Sequence, residues 1–155
     1  MVKLPKKYSV KWILILVALF LLTFVSMFLV TTILALSISL ENISGFALLS
    51  LAVSLAIGVG GVLGLKAYFK TALVFNILGI IYMLSITIFR TAEGWSDLVS
   101  IISYLFILAI GIILGVIVQL AVILITTYKR NKDKDKVTDI DIDIDIETQS
   151  DNKIN

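Results

Sequence analysis

Histidine and cysteine are both absent from this chain, so the residues able to do chemistry are few. Inside its apolar runs they are neutral: hydroxyls such as those of Ser50, Ser54 and Ser85, the amides of Asn76 and Gln119, and the phenols of Tyr82 and Tyr104. Such groups trade hydrogen bonds and little else. One use is a neutral pore lined by Ser50, Ser54, Asn76, Ser85 and Gln119. The competing use of each serine is a hydroxyl bonded back to a carbonyl of its own helix.

The exclusions are sharper than the assignments. Without imidazole or thiol there is no Ser–His or Cys–His nucleophile pair, no haem ligation and no thiolate or imidazole metal site. Paired acids at membrane depth, which an intramembrane protease would use, are missing as well. The glycines of "GVGGVLGLK" lack the Lys-Ser/Thr ending of a phosphate loop. Asp139, Asp141 and Asp143 copy the opening of a calcium loop, but Ile144 replaces its glycine and Ser150 its closing glutamate. The chain therefore reads as a non-enzyme with no cofactor and no metal, and no nucleic-acid-binding signature is present.

The elements that carry these residues are set by composition. Hydrophobic residues make up 59% of the 155, more apolar surface than a soluble domain of this size can bury. Charges are confined to a head, short loops and a tail. Four uncharged runs remain, at about 12–40, 46–65, 71–89 and 98–127. The third is the least obvious, yet its eleven Leu, Ile, Val and Phe residues contribute roughly −3 to −7 kcal/mol to insertion. Asn76 does not offset that. The first run, at roughly 43 Å if helical, exceeds the hydrocarbon core and is about twice a signal-peptide core, so it is expected to stay as a span. The fold class is all-α: an integral membrane four-helix bundle (12–128) with a basic cytoplasmic N-terminus (1–11) and a disordered acidic C-terminal tail (129–155).

Loop charge sets the expected threading. Lys3, Lys6, Lys7 and Lys11 precede the first span, and Lys66 and Lys70 lie between the second and third. The tail opens "KRNKDKDK", whereas "ENISG" has no base and "RTAEGWSD" has one against two acids. Positive charge thus alternates, which places both termini in the cytoplasm of a multi-pass protein of the cell membrane. Tyr8, Trp12, Tyr68 and Tyr128 are expected at the inner interface and Trp95 at the outer.

Glycine is concentrated where helices should touch. Lipid tails supply no hydrophobic drive for helix pairing, so small residues that admit close backbone contact take over. The second span has Ala52, Ala56, Gly60 and Gly64 at four-residue spacing, with Gly58 and Gly61 alongside. The third sets Ala72, Asn76, Gly79 and Met83 on one face, and the fourth Gly111, Gly115 and Gln119. The threading brings these faces into one leaflet. The expectation is a tight inner-leaflet junction of spans two to four, with Asn76 and Gln119 bonded to each other or to exposed backbone.

The tail is different material. From Lys129 onward six positive and eight negative residues leave a net charge of −2. The repeat Asp139–Ile146 alternates with period two, which offers a strand for a partner's sheet edge. Repelling carboxylates favour a solvated segment instead.

Together these readings describe a helix-packing or accessory protein that lies in the lipid bilayer and self-associates or docks on a membrane-protein partner. The alternative is a small channel or transporter for a neutral solute or ion.

Overall fold

The computed structural model describes residues 9–34, 39–89 and 95–151, with backbone only at 97 and from 133 onward. The early lysines, Tyr8, Ala35 to Ile38, the loop from Arg90 to Gly94 and the side chains of the Asp-Ile repeat lie outside the described residues. Four helices follow one another: α1 (Lys11–Ile33), α2 (Leu40–Val62), α3 (Lys66–Phe89) and α4 (Ser96–Asp151). No strand occurs among the described residues. Each helix contains a stretch long and apolar enough to cross a membrane, which makes the chain a multi-pass membrane protein.

The helix ends depart from the uncharged runs for local reasons. The first run is cut short at Ile33, well before Leu40. Near that end Thr31 and Thr32 both donate their hydroxyls to the Phe28 carbonyl (2.8 and 2.9 Å). The next helix starts earlier than Phe46 because Ser39 caps it, its hydroxyl oxygen accepting from the Asn42 amide at 3.2 Å. Glu41 in the first turn suits the positive end of the helix dipole. α1 and α2 thus both have 23 residues, about 35 Å, which matches a bilayer core without the expected overhang.

The turn from α2 to α3 is tighter than the charge pattern suggests. Gly64 adopts φ 84°, the left-handed region that side chains resist. The Leu65 amide donates to the Gly60 carbonyl (2.8 Å) and the Gly64 amide to Gly61 (3.0 Å), the paired bonds of a Schellman stop. α3 then begins at Lys66 rather than Thr71.

The chain divides into two units, Met1–Gln119 and Leu120–Asn155. In the first, helices are joined by a core that includes Trp12, Met27, Val30, Ile57, Phe69, Met83 and Tyr104. The large side chains on the outside are overwhelmingly apolar, as hydrocarbon solvent requires. In the second unit every residue from Leu120 to Lys132 is exposed. The backbone continues as helix to Asp151, not as the strand that alternation offers. Extending an existing helix needs no new nucleus, whereas a lone strand has no partner.

Candidate functional site

The polar and small residues of the first unit gather at two levels. One lies at the end of the bundle marked by Lys11 and Lys66, the other near the midpoints of the helices.

At the Lys66 end the ring of Tyr68 is the hub. A methyl group on Gly60 would overlap one edge of that ring, and one on Gly115 would stand 3.0 Å from the opposite edge and 3.2 Å from the Tyr68 carbonyl. The tyrosine is thus seated between glycines of α2 and α4. Its hydroxyl donates to the Ala56 carbonyl at 2.8 Å. Beside it Trp12 packs edge-on to Phe69 (centroids 5.0 Å apart, planes at 83°) and occupies the space over Gly61. Leu16 occupies the space over Gly58 in the same way, and the Leu16 carbonyl accepts from Ser54 Oγ at 2.8 Å.

Gln119 closes the start of α3. The first amides of a helix have no partner within it, and Leu65, immediately before α3, has no side-chain oxygen to supply one. Gln119 Oε1, reaching from α4, accepts from the Ala67 and Tyr68 amides at 3.1 and 3.3 Å. A residue 51 positions away in sequence does the work of a local N-cap.

The second level is centred on α3 and α4. Tyr104 Oη donates to Asn76 Oδ1 at 2.7 Å, and both residues are 0% exposed. Gly79 admits the Tyr104 ring, whose nearest atom would lie 3.0 Å from an added methyl. Two turns further down, Gly111 meets Phe75. Thr23 and Ser50 are buried from α1 and α2, at 1% and 0% exposure.

Of the residues singled out by sequence, Gly60, Gly115 and Gln119 converge on Tyr68 or its backbone. Gly79 and Gly111 line the α3–α4 contact. Asn76 does not meet Gln119. With α3 starting at Lys66, Asn76 lies near the helix midpoint instead of close to the Lys66 end. Ala52 and Ala56 are exposed in the single chain, because the face that packs within it is Ser50, Ser54, Gly58 and Gly61, one step around the helix. Gly64 terminates α2 and packs only in part.

Sequence reasoning missed Tyr68, Trp12 and Tyr104 as packing residues. Trp12 and Tyr68 were natural interfacial anchors, yet both are buried, whereas Trp95 and Tyr128 are exposed. The signal available was complementarity: several exposed-looking glycines at one end require bulky groups from the neighbouring helices to fill the space they leave.

Among the described residues no Asp, Glu, Lys or Arg is buried. The interior therefore offers neutral donors and acceptors, suited to joining helices or holding a neutral hydrogen-bonding molecule. Fold and interior together define an all-α, multi-pass membrane bundle held by glycine–aromatic contacts and neutral hydrogen bonds. No family model matches the chain, and no curated protein or solved structure is detectably similar to it.

Proposed function

We propose that this protein is a non-enzymatic helix-packing accessory of the membrane, which associates with itself or docks on another membrane protein. The observation that carries the reading is the small-residue face that the fold leaves unused. Gly58, Gly60, Gly61, Gly111 and Gly115 are filled from within the chain. Gly45, Ala52 and Ala56 remain exposed on α2, and nothing lies within 4 Å of a methyl placed on Gly45. This low strip admits close approach by another helix, the contact that drives association in lipid. In this reading the Lys66 end faces the cytoplasm, both termini are cytoplasmic, and the protein resides in the cell membrane. Positive charge alternating between connections supports that threading.

The test is association of the purified full chain in mild detergent. Ala52→Leu with Ala56→Leu fills the strip, and is expected to abolish self-association or co-purification of a stoichiometric membrane partner while leaving the monomer folded. Association unchanged by both leucines would remove the reading.

A channel or carrier for a small neutral solute is the second reading. It is favoured by three buried polar atoms without a protein partner, Thr23 Oγ1, Ser50 Oγ and Asn76 Nδ2. Flux through proteoliposomes of the purified protein, above that of protein-free vesicles, is its expected signature.

A further inference from the structure

The three unpartnered atoms come from three different helices, and each residue lies within two positions of the midpoint of its own. Contacts fix the register that brings them level. Trp12 meets Gly61 and Leu16 meets Gly58, so α1 and α2 run antiparallel and Thr23 falls opposite Ser50. Tyr68 of α3 meets Gly60 of α2, which carries Asn76 to within about 3 Å of the height of Ser50 at 1.5 Å per residue. The Tyr104 hydroxyl is bonded to Asn76 and lies near enough to the Thr23 hydroxyl to attract its proton, although the two form no bond of good geometry. One buried polar residue from each of the four helices therefore lies close to one depth.

The two hydroxyls behave differently from others in this chain. Ser26 donates to the Leu22 carbonyl, Ser85 to Ile81 and Thr87 to Met83, each four residues back along its own helix (2.7–2.9 Å). Thr23 and Ser50 make no such bond, although their helices carry the same carbonyls. Asn76 presents Nδ2 with no protein acceptor. Turning its amide half a rotation would leave Oδ1 without a donor and the Tyr104 O–H without an acceptor, so it relieves nothing. Each unpaired buried group costs about 1–3 kcal/mol, and bulk water does not reach the bilayer core to relieve it.

We propose that the centre of the bundle is a binding site for a water molecule, held by Asn76 Nδ2 and the hydroxyls of Thr23 and Ser50, with Tyr104 fixing the amide. The chemistry selects water. Asn76 Nδ2 donates, and the two hydroxyls both donate and accept, which matches the roughly three bonds a buried water makes. An anion would meet no positive charge, since no Lys or Arg is buried among the described residues. A cation would find only neutral oxygens here, with no Asp or Glu buried among the described residues to offset its loss of hydration. The site stands independently of whether solute crosses the bundle or a partner docks on it.

The test is water-edited solid-state NMR on the isotope-labelled full chain in lipid nanodiscs. The side-chain amide signal of Asn76 is identified by its loss in Asn76→Leu. Polarisation from water is expected to reach the Asn76 side-chain amide, while the neighbouring buried amides of Ala72 and Ile80 receive none. Thr23→Val with Ser50→Ala removes both hydroxyls at almost constant shape and is expected to cut that transfer several-fold. Ser50→Ala alone is expected to weaken it and serves if the double variant does not fold. Absence of transfer to Asn76 in the unaltered protein, or transfer undiminished by the hydroxyl replacements, would overturn the proposal.

Discussion

Tyr104 Oη and Asn76 Oδ1 are 2.7 Å apart, and neither residue exposes any surface. This bond ties α4 to α3 near the middle of the bundle, where no bulk solvent competes for either partner. Tyr104→Phe keeps the ring that packs over Gly79 and deletes only the donor. It is expected to destabilise by about 1–3 kcal/mol, because the amide oxygen becomes unpaired. Unfolding in mixed micelles reads the change. Combined with Asn76→Leu, the loss should fall short of the sum by about 0.5–2 kcal/mol; strictly additive losses would mean the two side chains are not coupled.

Gly60 and Gly45 make a matched pair on α2. A methyl on Gly60 would overlap the Tyr68 ring, whereas one on Gly45 touches nothing. Gly60→Ala should therefore cost about 1–3 kcal/mol through displacement of the ring and its bond to Ala56. Gly45→Ala should be neutral or stabilise by up to about 1 kcal/mol, from helix propensity alone. Equal effects at the two sites would contradict the seating of Tyr68.

The number and class of the helices were legible because they depend on quantities that add along the chain. Apolar length and the exclusion of charge are sums, and hydrocarbon enforces both. The face of α2 was harder to read. Counting only glycine and alanine draws the stripe through Ala52 and Ala56, but serine is small enough to pack, and the strip buried within this chain runs through Ser50, Ser54, Gly58 and Gly61. What a glycine meets depends on another helix, so the pairing of Gly60 and Gly115 with Tyr68 is not encoded locally. The bond between Tyr104 and Asn76 likewise depends on a helix offset that no single span specifies.

Gly64 is expected to tolerate replacement poorly for a different reason. Its φ of 84° costs a side-chain-bearing residue about 1–2 kcal/mol. Gly64→Ala should lose roughly that amount, and Gly64→Asn less, since asparagine visits this region more readily. Thermal denaturation in detergent ranks the two. An alanine that stabilises would mean the stop at Val62 is not built on a left-handed residue.

Gln119 is best tested at the amides it receives. Gln119→Leu removes the acceptor of the Ala67 and Tyr68 N–H groups. Their hydrogen exchange should accelerate by roughly tenfold, the equivalent of about 1.4 kcal/mol, with amides of the α3 interior unchanged. Gln119→Glu keeps an oxygen in place and adds negative charge at the positive end of the helix dipole, so protection should be retained. Exchange at both amides indifferent to leucine would show that the first turn of α3 is closed by other means.

The reach of Gln119 across 51 residues also orders events in time. As the chain leaves the ribosome, α2 and α3 can meet across their short turn as soon as both have emerged. The opening amides of α3 lack their Gln119 acceptor until most of the last span has been made. Until then these two amides, at the Lys66 end, are left to interfacial water, and only full-length synthesis replaces it with a side-chain oxygen.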